Sequence, residues 1–166
     1  VCSSDLVVVF KFGALFMNSV KYLVTILLLF LQMFSSINAQ DGEPCGPARV
    51  LDSEIASNVA QDSRCFELRF YTADATVEGS GGVDALHQRF RERQQELLTT
   101  HGAELIGYWQ RLDNPNTIVW LLAFRDRAHR DEVFRNFRAD PEWLALREKY
   151  NVPVKRELFF MSATDY

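Results

Sequence analysis

The sequence predicts an α+β domain over residues 65–166, with its elements in the order strand, helix, strand, strand, helix, strand. Three observations predict it. Four stretches carry the apolar pattern of strands, apolar residues at helical spacing fill the two long intervals between them, and glycine, proline and asparagine clusters mark the joints. That order is the ferredoxin-like split βαβ arrangement.

The first strand, 65–72, alternates Phe66, Leu68 and Phe70 with Glu67, Arg69 and Tyr71, the period-two signature of a half-buried strand. A glycine-rich loop, 78–82, leads into a helix in which Val83, Leu86, Phe90 and Leu97 recur at helical spacing, and His101-Gly102 closes it. The second strand is expected at 105–110, a turn at 113–116, and the third strand at 118–124, apolar on both faces. Asp126 is the expected N-cap of a helix over 127–138. Asp140-Pro141 opens a further short helix carrying Trp143, Leu144 and Leu146, and 154–161 is the last strand.

Helices in this arrangement cover one face of the sheet. The third strand nevertheless offers Val119, Leu121 and Ala123 on one side and Ile118, Trp120, Leu122 and Phe124 on the other. The last strand offers Phe159 and Met161 against Leu158 and Phe160. A second apolar face needs a cover, and a second copy of the sheet is the simplest one, so a homodimer is expected.

Upstream of the domain the composition changes. Every aromatic residue beyond position 40 lies between Phe66 and Tyr166, and 40–64 is rich in acids with Pro44, Gly46 and Pro47, so it reads as an extended acidic leader with room for a short helix near 49–60. From Met17 the chain shows Lys21, an apolar run from Tyr22 to Phe34, and a small polar stretch ending at Ala39. This order is that of a secretory signal peptide, residues 17–39, cleaved after Ala39. The apolar run of 13 residues is short of the roughly 20 a spanning helix needs, so no stable membrane anchor is expected after cleavage. Residues 1–16 read as translated upstream sequence rather than protein. The alternative is a longer N-terminus that anchors the chain.

A net charge of −4 argues against a nucleic-acid partner, since such binders carry basic surfaces. Three cysteines are too few for a disulfide-stapled mini-protein or an all-cysteine zinc site. For a secreted or periplasmic chain, Cys45 and Cys65 can persist as a disulfide; the alternative is two free thiols.

The run ELRFYT at 67–72, a helix ending in His101-Gly102, LIGYW at 105–109, the apolar third strand and DPEW at 140–143 together resemble the NIPSNAP family across 65–166. The resemblance implies a dimeric α/β barrel, two ferredoxin-like units packed sheet against sheet, and no settled enzymatic activity. It also departs from the family's frequent intracellular or mitochondrial setting, because of the signal peptide.

Candidate chemistry is sparse. His101 and Tyr108 are candidates for moving a proton, His101 because its ordinary pKa lies near neutrality. The competing reading of His101 is a cap on its own helix carbonyls. Arg69 could steady an anion in bidentate fashion; the competing reading is a pair with Glu67 on the polar side of the strand or at the rim of a dimer interface. Arg69, Tyr71, Tyr108, Trp120 and Trp143 are candidates to line a pocket for a small apolar or aromatic ligand. His87 and His101 stand about 21 Å apart along a helix, and His129 with Asp126 and Glu132 forms an ordinary surface pattern, so no metal site and no cofactor are expected. The 79–82 loop lacks the lysine and spacing of a phosphate loop. The arginine-rich helices (Arg89, Arg91, Arg93; Arg127, Arg130, Arg135, Arg138) read as solvated faces.

The functional expectation is a secreted or periplasmic homodimer binding a small apolar or aromatic ligand. The alternatives are a cofactor-independent monooxygenase or isomerase, and an interaction module without a ligand.

Overall fold

The computed structural model of the chain describes residues 43–166. The expected upstream stretch, signal peptide and cleavage point lie outside the described residues. None of the helices described is long and apolar enough to cross a membrane.

Four strands form one antiparallel sheet: β1 (Cys65–Ala73), β2 (Glu104–Gln110), β3 (Thr117–Phe124) and β4 (Val154–Met161). Their order across the sheet is β2-β3-β1-β4. Between β1 and β2 run α1 (Gly82–Arg89), a π-helical turn (Phe90–Gln94) and α2 (Gln95–Thr100), without a break. Between β3 and β4 come α3 (Arg127–Ala139) and α4 (Pro141–Lys149). The result is an α+β fold compatible with the ferredoxin-like arrangement.

The helix ends follow the capping chemistry expected of them. Asp126 accepts a 2.8 Å hydrogen bond from the His129 amide at the start of α3, and Asp140 accepts 2.7 Å and 3.4 Å bonds from the amides of Glu142 and Trp143 at the start of α4. Gly102 follows α2 with φ +102°, a backbone conformation that side chains with a Cβ rarely adopt.

The core sits between the helices and one face of the sheet. Ile118, Trp120, Leu122 and Phe124 supply the sheet side, and Leu86, Phe90, Leu97, Leu98, Val133, Phe134, Phe137, Trp143 and Leu146 the helix side. Leu86 and Leu98 are fully enclosed, each such side chain contributing about 1.5–3 kcal/mol of burial.

Strand β1 turns a simple reading of its pattern around. Cys65, Glu67, Arg69, Tyr71 and Ala73 are the covered residues, and Phe66, Leu68, Phe70 and Thr72 are only half-buried. The charged side of the strand therefore faces the helices and the apolar side faces away. Periodicity separates the two faces of a strand without saying which is covered. Here the interior accepts the charges because they neutralise one another.

The outward face is continuous across the sheet. Register places Leu68 beside Leu121 and Phe159, Phe70 beside Val119, and Phe66 beside Met161. Trp109, on β2 next to Val119, is 52% exposed, Phe159 49% and Met161 37%.

The segment before β1 is extended apart from short helical turns and is tied to the domain. It contains two short 3-10 turns, Ala48–Val50 and Ile55–Asn58. A disulfide joins Cys45 to Cys65, their Cα atoms 4.7 Å apart. The Gly46 amide donates to Ser162 Oγ at 2.9 Å, and that hydroxyl donates back to the Gly46 carbonyl at 2.9 Å. A bridge between Val59 and Thr164 ties the segment to the chain beyond β4. The acidic composition does keep its surface wet, but covalent and backbone ties fix its path.

Candidate functional site

Three side chains project inward from β1 at two-residue intervals, and each is held by the next. Arg69 donates through Nε to Glu67 Oε1 at 2.9 Å and through a terminal nitrogen to the Tyr71 hydroxyl at 2.6 Å. Arg130 reaches down from α3 and grips both oxygens of Glu67, at 2.9 Å each. Burial alone would raise the Glu67 pKa, but the hydrogen bonds from Arg130 and the charges of Arg69 and Arg130 outweigh it and hold it below the ordinary carboxylate value. The guanidinium of Arg69 lies 4.2 Å from the ring centre of Phe134 and 5.0 Å from that of Trp120, so its faces are stacked while its edges are hydrogen-bonded.

Beside this ladder the helices and the sheet line a cavity of about 770 Å³ that opens to solvent. Its aromatic wall includes Tyr71, Trp120, Phe134, Phe137 and Trp143, and its basic wall Arg69, Arg89, Arg138, Arg147 and Arg156. Of the expected ligand-binding residues, Arg69, Tyr71, Trp120 and Trp143 meet here, and Tyr108 does not.

Tyr108 lies on the inner face of β2, stacked on Trp120 with ring centres 6.1 Å apart, and borders a separate depression with His87 and Phe90. Its hydroxyl is buried without a hydrogen-bond partner among the described residues, and burial pushes its pKa up. A phenol so placed keeps its proton at neutral pH. His101 also lies outside the cavity lining. Rather than capping its helix carbonyls, its Nε2 pairs with Asp140 Oδ2 at 2.7 Å, which lowers the Asp140 pKa chiefly through that hydrogen bond.

The reading of the arginine-rich helices as solvated faces needs correction. Arg91, Arg135 and Arg138 are exposed, but Arg89 is only 4% exposed. Arg130 is spent on Glu67, and Arg127 stacks over Phe160 at 4.1 Å while donating to the Glu43 carbonyl. The reason is geometric: arginine stems are long and apolar enough to lie along a core, with the charged head placed on a partner.

Sequence reasoning missed Arg89 and Gln94, and the missed signal was a polar residue at a core position. Four residues after Phe90 and three before Leu97, position 94 belongs to the apolar stripe of a regular helix, yet it holds glutamine. The structure resolves the conflict with a π-helical turn over Phe90–Gln94. In an α-helix residues five apart diverge by roughly 140°. The wider turn brings Arg89 and Gln94 to the same side, where Arg89 Nε donates to Gln94 Oε1 at 3.0 Å, and both line the cavity. Such turns are often found at functional sites. Burial lowers the Arg89 pKa, with Tyr71 opposing it and the nearby charge of Arg147 adding to it.

Among the described residues there is no group of three or more His, Cys, Asp or Glu side chains able to hold a metal ion.

No functionally curated protein matches the chain. Among solved structures it is similar to a NIPSNAP family protein of unknown function from Agrobacterium tumefaciens, at 23% identity and TM-score 0.56, covering 66% of this chain and 96% of that one. It is also similar to an uncharacterised NIPSNAP domain protein from Burkholderia xenovorans, at 23% identity and TM-score 0.52, covering 61% and 96%. These likenesses speak for the fold. The sequence model of the NIPSNAP family matches residues 66–163, nearly the whole stretch from the first strand to the end of the last, and the chain therefore belongs to the NIPSNAP family.

Proposed function

We propose that this protein is an exported homodimer that binds a small, flat, apolar or aromatic ligand in the cavity between the inner sheet face and the helices. The observation that carries the ligand reading is the cavity itself: its volume of about 770 Å³ is that of a small-molecule site, and rings of Tyr71, Trp120, Phe134 and Trp143 border it. Trp120 and Trp143 belong at once to the core and to the cavity wall, so the wall is built on rigid elements.

Dimerisation is supported by the outward sheet face. Leu68, Phe70, Val119, Leu121, Phe159 and Met161 form an apolar surface that the helices of the same chain do not cover. Packing it against its own copy gives a dimeric α/β barrel and leaves the cavity of each subunit on the far side of its sheet. Export is supported by the signal-peptide pattern of residues 17–39 and suits a Cys45–Cys65 disulfide.

The enzymatic alternative has less support, because His101 and Tyr108 stand apart from the cavity and its lining contains no histidine or cysteine. Native mass spectrometry of the protein purified from the compartment it is delivered to tests the reading. A dimer carrying a small molecule is the expected result. A monomer would remove the dimer, and a dimer from which no small molecule is ever recovered would favour the pure interaction module.

A further inference from the structure

We infer that the ligand of this cavity is an anion, an organic acid whose carboxylate, sulfonate or phosphate is received by Arg89 beside Trp120 and Trp143. The inference rests on the cavity being a ligand site and adds the charge of what it holds.

The first ground is an imbalance of charge. Of the cavity's arginines, Arg69 has its counter-ion in Glu67. Arg89, Arg138, Arg147 and Arg156 form no ion pair with any described residue, and Glu148 is the one acid of the lining. Arg138, Arg147 and Arg156 are exposed and solvated. Arg89 is different. It is 4% exposed, and its partners are the neutral oxygens of Gln94, at 3.0 Å, and of the Tyr150 carbonyl, at a long 3.5 Å. A buried guanidinium without a carboxylate is costly, and such groups are ordinarily paired.

The second ground is an imbalance of donors and acceptors. Trp120 is 1% exposed and borders the same cavity, and its indole N–H has no acceptor among the described residues. The Tyr71 hydroxyl already accepts from Arg69, and the Gln94 carbonyl oxygen from Arg89. Among the buried residues of the wall the acceptors are therefore spent while donors are left over, and the free carboxylate of the lining, Glu148, is exposed. An acid group supplies acceptors and negative charge together.

The third ground is position. Arg89 lies with its guanidinium carbon 5.4 Å from the ring centre of Trp143, and the π-helical turn that pairs it with Gln94 fixes its reach into the cavity. A planar aromatic acid would place its ring among Trp120, Phe134 and Trp143 and its acid group at Arg89. Arg147 and Arg156, at the rim, would draw such anions in.

The experiment compares two fluorescent probes of the same ring system, anilinonaphthalene sulfonate and the uncharged N-phenylnaphthylamine, titrated into the full mature protein, its Arg89→Gln variant, and an Arg147→Gln, Arg156→Gln double variant. The expected result is at least about tenfold tighter binding of the sulfonate. Arg89→Gln should erase that preference while leaving the neutral probe unchanged. The double variant, changed only at exposed positions, should weaken the sulfonate several-fold and keeps the test open if Arg89→Gln does not fold. Equal binding of both probes overturns the anion inference and leaves the apolar cavity standing. A sulfonate preference that survives both variants overturns it too, since the charge would then be read elsewhere. Binding of neither probe removes the ligand site itself.

Discussion

Arg89 and Gln94 are five residues apart on one helix and share a 3.0 Å hydrogen bond because the turn between them is wound wide. The pair couples local geometry to the cavity: without the turn, the glutamine would leave the arginine's side. Gln94→Leu keeps the volume and removes the acceptor. It should cost about 1–3 kcal/mol of stability, the penalty of a buried donor left unmade, measured by urea denaturation. A neutral result would mean that Arg89 finds another partner and that the turn is not what holds it.

Glu67 should make the protein sensitive to acid. Its folded pKa is lowered below the unfolded value, so its contribution is complete above the unfolded carboxylate pKa of about 4.3 and is lost as the pH falls through the lowered folded value. Glu67→Gln leaves Arg69 and Arg130 facing a neutral group and should destabilise by roughly 3–5 kcal/mol at pH 7. The variant should also show a flatter loss of stability between neutral and acid pH. Denaturation midpoints across that range check both.

Asp140 has two jobs, one for each oxygen. Oδ1 caps α4 through the amides of Glu142 and Trp143, and Oδ2 accepts from His101. Asp140→Ala loses both, while Asp140→Asn keeps a side-chain oxygen for the cap. Thermal melts should therefore rank wild type, Asp140→Asn, Asp140→Ala in falling order, with His101→Ala close to Asp140→Asn. If Asp140→Asn is as damaging as Asp140→Ala, the charge matters more than the cap.

The Cys45–Cys65 bond closes a loop over a sequence separation of 20. Replacing both cysteines by alanine should lower stability by about 3 kcal/mol through the freer unfolded chain. The Gly46–Ser162 and Val59–Thr164 contacts should open more often without the bond. Hydrogen exchange would show faster exchange of the Gly46 and Ala60 amides and little change within β1 and β3.

The outward face offers the most direct test of assembly. Phe159 is 49% exposed in the single chain, so Phe159→Arg should leave the fold intact and turn the proposed dimer into a monomer by light scattering. A dimer that survives this change on the apolar face would place the interface elsewhere.

The sequence by itself determined the elements. Period-two alternation, the capping aspartates at 126 and 140, the proline at 141 and the glycine at 102 are local signals, and each acts through the backbone within a turn or two of itself. They place the strands and helices within a few residues of where they fall. The apolar character of both faces of β3 is equally local, because Ile118 to Phe124 contains no polar residue to mark an outside. The candidates Arg69, Tyr71, Trp120 and Trp143 were legible too, since arginine and aromatic side chains on strands and at a helix start are where pockets are built.

What only the tertiary structure decided was which side of β1 is inside. Alternation is symmetric: a strand of Phe66, Leu68 and Phe70 against Glu67, Arg69 and Tyr71 says that there are two faces and no more. The decision comes from Arg130, 63 residues from Glu67 in the chain, which supplies the second guanidinium that lets the carboxylate be buried. The same holds for Arg89, whose neighbours on the helix read as a charged solvated surface until the π-helical turn and the packing of α4 enclose it. Long-range charge pairing and a change of helical pitch are both set by partners distant in sequence or by competing packing demands. The charge pairing leaves no periodic trace in the residues themselves, and the change of pitch leaves only Gln94 interrupting an apolar stripe.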